Sequence, residues 1–352
     1  MVSTEMSHVE RSLFVIALLF IIIIAAKETA YLVSLFLMAL IITMLASPAL
    51  FWLKKKGLSD FSATMVITLV AGLVILGFIG LTALSVHTVI SDLPQYQQEL
   101  NTRLSDIVAM LAPFGLSSIV SKPPALDLGL ISSIGISGVM SLADSVMFLF
   151  FVGVLTIFML LEAPCIAAHL EEHLGKESHT LHNLSRMTGY VTDFIVVRTE
   201  TNFIQGVVFG GFLGLIGVHG AILWGVLTFL LGYIPYFGLL IAAVPALFFA
   251  WLQFGVPGAV AVIVAICILN LVVENPVLSY LTARKFEMPA LLVLISVIFW
   301  GWLLGLVGML FAVPFTLIGL LVIQLSDELR WINITLGVDH LFSEQDEGAV
   351  EK

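Results

Sequence analysis

Charge is what this sequence has least of: only 11% of its 352 residues are Asp, Glu, Lys or Arg, against roughly a quarter in an ordinary soluble domain. Hydrophobic residues make up 60%, more than an interior of this size can hide, so the solvent for most of the surface must be lipid. Basic clusters are missing apart from Lys54, Lys55 and Lys56, and the net charge of −10 comes from acids spread over loops and tail, which removes support for nucleic-acid binding. There are two cysteines, Cys165 and Cys267, one at a helix end and one within an apolar run, so no disulfide framework is expected. No phosphate-binding glycine loop occurs, which leaves ATP-driven work unsupported.

What is present is a series of apolar runs: 12–26, 30–53, 61–86, 139–161, 203–218, 221–254, 258–281 and 289–326. They predict an all-α polytopic membrane protein with about eight hydrophobic segments. Charged Lys27-Glu28 follow the first run where a cleavable leader would carry small residues, so the first two runs read as an uncleaved hairpin. Runs 221–254 and 289–326 are too long for one helix and are interrupted by Gly and Pro, so each reads as a broken hairpin, re-entrant or doubly spanning.

With the N-terminus in the cytoplasm, and each broken hairpin returning to its starting side, 11 Lys and Arg residues fall inside, Arg186, Arg198, Arg284 and Arg330 among them, and three (Lys27, Arg103 and Lys122) fall outside. Both termini are therefore expected in the cytoplasm. The resulting parts are transmembrane helices over 1–86, an external amphipathic helix and loop over 87–138, a transmembrane helix over 139–161, a His/Glu-rich cytoplasmic segment over 162–202, a core over 203–326, and an acidic cytoplasmic tail over 327–352. Val89, Leu93, Leu100, Leu104, Ile107 and Leu111 give the external helix its stripe, closed by Pro123-Pro124. Packing on the protein itself is the first expectation for that stripe, and it is also compatible with a homo-oligomer or with the bilayer surface.

The core contains a repeat. Residues 232–245 (GYIPYFGLLIAAVP) match 301–314 (GWLLGLVGMLFAVP) at a fixed offset of 69, and at that offset Gln205 falls on Glu274. Units 190–254 and 258–326, each one span followed by a broken hairpin, run in opposite directions under the topology above. Inverted repeats with interrupted helices form midplane binding sites in many secondary transporters, because half-helix ends and unpaired carbonyls can be satisfied by ions or solutes but not by lipid.

Glu274 stands in the apolar run 258–281 beside Asn270 and Asn275. An ionisable group at membrane depth is costly unless paired, protonated or wetted, which makes it the leading candidate to load and release a coupling proton or sodium ion. Gln205 and Asn202 are its expected partners across the repeat. Gly206, Gly210 and Gly214 form a GxxxGxxxG series suited to close helix packing. Pro235, Pro245 and Pro314 are expected to break backbone bonds inside the hairpins. The segment HLEEH, with His169, Glu172 and His173, fits the inverted zinc-protease pattern H-x-x-E-H, but some forty residues between two spans offer little scaffold for a cleft, so it reads first as a solvated helix face, with incidental metal binding the alternative, and no catalytic residue is expected.

In PYFGLLIAAVP, in ENPVLSY at 274–280 and in the stretch 289–314 ending GMLFAVP, the chain resembles the autoinducer-2 exporter family of bacterial membrane transporters. The resemblance covers the chain from the first run to about residue 326. It implies a bacterial inner-membrane permease, either an exporter of the furanone quorum-sensing signal autoinducer-2 or a sodium/proton antiporter. It places the family's Pro-aromatic-x-Gly motif on Pro235, Tyr236 and Gly238, its acidic pair on Glu274 and Asn275, and its closing segment on Gly308 and Pro314. The leading expectation is thus gradient-driven export of a small polar solute through Glu274, without an organic cofactor. A sodium or lithium/proton antiporter, with a monovalent cation as substrate, is the alternative, and a non-transporting membrane scaffold is a third.

Overall fold

A computed structural model describes residues 8–91, 93–111, 113, 128–175, 178–277, 288–324 and 329–338; Pro123-Pro124 and most of the acidic tail lie outside them. The described residues hold helices and no strands: α1 (His8–Glu28), α2 (Ala30–Lys55), α3 (Asp60–Ser91), α4 (Leu93–Leu111), α5 (Leu128–Leu174), α6 (His179–Ile216), α7 (Ala221–Leu231), α8 (Gly238–Phe254), α9 (Val256–Leu269, continued by a π-helical turn Asn270–Glu274), α10 (Ala290–Leu310), α11 (Ala312–Gln324) and α12 (Arg330–Thr335).

Uniformly apolar sequence is what makes these helices membrane helices. Leu69, Leu73 and Leu84 on α3 are each more than 60% exposed, a surface that water would penalise and lipid solvates. Among the described residues five helical stretches are long and apolar enough to cross a bilayer: Ala30–Lys55, Asp60–Ser91, Asp144–His173, Val256–Val277 and Ala290–Leu310. The 11 residues of α7 rise only about 16 Å. A hydrocarbon core is about 30 Å thick, so α7 is too short to cross it alone.

The expected hairpin between the first two runs is corrected. Thr29 N–H donates to the Ala25 carbonyl and Val33 N–H to the Thr29 carbonyl, both at 3.0 Å, so helical bonding continues through the junction and the chain bends there instead of reversing. Charged Lys27 and Glu28 interrupt the hydropathy without interrupting the helix. The expected segment 162–202 is composed of the end of α5 and the first part of α6; these helices, of 47 and 38 residues, carry the chain well past a membrane thickness.

The stripe expected on the external helix packs on the protein. Tyr96 and Leu100 of α4 are buried with Leu252, and Arg103 donates to the carbonyls of Leu252 and Gln253 at 2.9 and 2.7 Å, closing the C-terminal end of α8. Two larger cores hold the rest. One gathers α2, α6, α10 and α11 around Ile41, Val191, Leu304 and Phe315; the other gathers α6 to α9 around Phe209, Trp224, Ala246 and Val262.

Candidate functional site

Helix α6 carries the site on one face. Arg198, Asn202 and Gln205 recur at helical spacing in its middle and look toward the end of α7 and the π-helical turn of α9. That turn holds one residue more than an α-helical turn and is closed by the Asn275 N–H on the Asn270 carbonyl. Glu274 leaves it toward α6. Its Oε1 accepts from Arg198 Nη1 at 2.6 Å and its Oε2 from Gln205 Nε2 at 3.0 Å, so each carboxylate oxygen has a donor. Arg198 Nε, in turn, donates to the Gly232 carbonyl at 3.0 Å, satisfying a backbone acceptor freed where α7 ends. Thr199 Oγ1 and the Tyr233 hydroxyl lie 2.7 Å apart, a second polar bond from α6 to the same break.

The sequence-expected residues divide accordingly. Glu274 and Gln205 meet directly across the 69-residue offset. Asn202 is buried beside them, with neither amide atom hydrogen-bonded. Asn275 is exposed, and the hydrogen bond shown for the half-buried Asn270 is the one its carbonyl accepts within the turn. Arg198 was missed: counted above as a cytoplasmic charge because it precedes the apolar run 203–218, it is instead buried and paired to Glu274. The signal that points to it is Glu274 itself, since a carboxylate at membrane depth needs a partner and Arg198 is a basic residue close to the run that holds Gln205.

Pro235 marks the first break, but no proline marks the second. In the first hairpin, α7–α8, residues 232–237 are non-helical and Tyr236 adopts φ +66, with the Phe237 N–H bonded to the Pro235 carbonyl two residues back at 2.8 Å. This is a γ-turn around a bulky residue in left-handed backbone, a conformation costing about 1–3 kcal/mol that the surrounding packing must impose. In the second hairpin, α10–α11, the break is Gly305 (φ +66, ψ −143), 69 positions from Tyr236. Pro314 is corrected from breaker to helix starter: it is the third residue of α11, where its missing N–H has no helical partner to lose. Pro245 lies inside α8 and does remove a helical donor.

Glycine supplies the close contacts. A side chain on Gly238 would collide with the Leu231 carbonyl, and one on Gly308 with the Trp300 carbonyl; Leu231 and Trp300 are again 69 apart. Gly206 and Gly210 press on Gly225 of α7 at backbone contact, with 2.7 Å between the Gly225 carbonyl and a Cβ built on Gly206, while Gly214 has more room. A cavity of about 270 Å³ between α3, α6 and α7 borders this contact but is lined by apolar side chains and glycines, Phe78, Phe203 and Phe229 among them, and offers nothing to a polar solute. His169 and His173 are exposed at the end of α5, His173 Nδ1 lying 2.9 Å from the His169 carbonyl.

Interrupted helices meeting at a half-buried ion pair, in a chain built of membrane helices, are the architecture of a membrane transporter. The chain belongs to the AI-2E transporter family, whose model matches residues 13–326. It is 29% identical to a putative transport protein of Haemophilus influenzae over 88% of this chain and 91% of that one. It is 28% identical to the AI-2 transport protein TqsA of Escherichia coli K12, covering 86% of this chain and 88% of TqsA, and 28% identical to the putative transport protein YhhT of the same strain over 86% of each.

Proposed function

We propose that this chain exports a small polar solute across a bacterial inner membrane, its C-terminus in the cytoplasm, using a proton gradient coupled through Glu274. The observation that carries this reading is the Arg198–Glu274–Gln205 cluster at the π-helical turn, facing the break of the first hairpin. Charge at that depth is retained where it moves something, and paired broken helices supply the elements that rock or slide to give alternating access. Autoinducer-2 is the candidate solute suggested by the name of the E. coli relative. The fixed guanidinium favours solute export over cation antiport. Glu274 already has a cation at 2.6 Å, so a sodium ion would have to displace a residue that is permanently charged, whereas an uncharged solute meets a balanced pair.

The test is autoinducer-2 uptake into everted vesicles bearing the chain, with an imposed pH gradient. Uptake that exceeds empty vesicles and vanishes with a protonophore is expected. If added sodium or lithium instead collapses the pH gradient and no autoinducer-2 enters, the chain is an antiporter; if neither happens, gradient-coupled transport is wrong.

A further inference from the structure

Asn202 is fully enclosed, yet neither its amide nitrogen nor its amide oxygen has a hydrogen-bond partner. A primary amide offers two donors and two lone-pair sites, and burying all of them unpaired is unfavourable enough that a leucine would serve packing better. The bonds its polar neighbours make are to one another instead. Arg198, one turn before, is bonded to Glu274 and to the Gly232 carbonyl; Gln205, a turn after, is bonded to the other oxygen of Glu274. The carboxylate thus bridges the two residues that flank Asn202 on the same helix face. The last wall is Gly232, set so closely that a Cβ there would lie 2.6 Å from Asn202 Oδ1 and 2.9 Å from the Thr228 carbonyl. Only a glycine lets the break seat on the amide.

We propose that Asn202 is the floor of an occluded solute site with Gly232 as its lid, and that the site takes an uncharged solute able both to donate and to accept hydrogen bonds. The chemistry follows from the walls. An anion would face Glu274 and a cation would face Arg198, while a neutral hydroxyl or carbonyl finds in Asn202 both a donor and an acceptor. Entry needs Gly232 to lift, which breaks the Arg198–Gly232 bond and ties opening of the first hairpin to the charge pair. This deepens the transport reading and rests on it.

The experiment uses the full chain in membrane vesicles with Cys165 and Cys267, both exposed, replaced by alanine. In that background Asn202→Cys is compared with Phe209→Cys, equally enclosed on α6 but in the apolar core. A small membrane-impermeant methanethiosulfonate is expected to label position 202 and not 209. Uncharged hydroxylated probes, from glycerol to ribose, should slow that labelling at least threefold, with no such effect from sodium acetate or ammonium chloride at equal osmolarity. No labelling at 202, equal labelling at both positions, or no protection by the hydroxylated probes overturns the proposal. Asn202→Leu gives an independent readout: a Tm at or above wild type with at least tenfold loss of uptake is expected, and a lowered Tm would assign the amide a purely structural role. Uptake of autoinducer-2 with an unlabelled position 202 would sink the site and leave transport standing; labelling with protection but no such uptake would do the reverse.

Discussion

The two broken hairpins share a backbone fault and differ in how it is held. Tyr236 in α7–α8 and Gly305 in α10–α11 both have φ +66 and stand 69 residues apart, and each hairpin then brings a glycine against a carbonyl of its first arm. The breaks meet at the centre, where Ile234 packs with Val297 and Ala312 and the Tyr233 and Phe311 rings lie 5.8 Å apart. Yet the first break is tied to α6 by Arg198, Thr199 and the bulk of Asn202, whereas the positions matching Arg198 and Asn202 in the second unit are Cys267 and Leu271, both exposed. The second break is held by packing, by a Trp300–Thr316 hydrogen bond within its own hairpin, and by Lys27 over the Trp302 ring at 3.9 Å. One fold element used twice has therefore acquired chemistry in one copy only: the polar break is suited to a solute, and the apolar one to a hinge that slides without breaking ionic bonds.

Substitutions can break this contrast, and the largest effect is expected at the ion pair. Arg198→Met leaves a mostly buried carboxylate without its cation, and removal of one partner from such a pair costs about 3–5 kcal/mol. A denaturant titration in detergent should show that loss, and the double change Arg198→Met with Glu274→Leu should recover most of it. Next comes Gly238→Ala, where the new methyl meets backbone that cannot yield; overpacking of this kind costs about 1–3 kcal/mol, read as a fall in Tm. Gly305→Ala isolates the backbone term, because nothing lies within 4 Å of the added Cβ and only the left-handed conformation is strained. The cost should be about 1–2 kcal/mol. Equal losses at 238 and 305 would mean that the close packing at Gly238 costs no more than backbone strain alone. The smallest effect carries the opposite sign: Tyr236→Gly relieves the strained γ-turn and should stabilise by about 1 kcal/mol or less, since glycine also gains freedom in the unfolded chain. Destabilisation there would show that the exposed Tyr236 ring contributes more than its backbone strain costs.

Much of this was legible in the chain. Composition and apolar run length fixed the class, and the 69-residue offset brought Gln205 to Glu274 before any coordinates. What escaped did so for identifiable reasons. Arg198 was hidden because hydropathy ends a span at the first charges, while α6 continues as one helix across them. The first break was legible in the Pro235, Tyr236 and Gly238 motif, whereas the second at Gly305 was hidden because no proline stands beside it and a glycine alone in an apolar run carries no break signal. Pro314 misled because a proline in an apolar run looks the same at a helix start as at a helix interruption.

The central claim is that Glu274, held by Arg198 and Gln205, couples the gradient to solute movement. The direct measurement is autoinducer-2 uptake by purified wild type and Glu274→Gln in proteoliposomes under an imposed proton gradient, with both proteins shown to share a Tm within a few degrees. The account predicts gradient-stimulated uptake by the wild type and none above the protein-free rate for Glu274→Gln. Equal stimulation of the two would contradict it and leave the cluster as a structural clamp on the first hairpin.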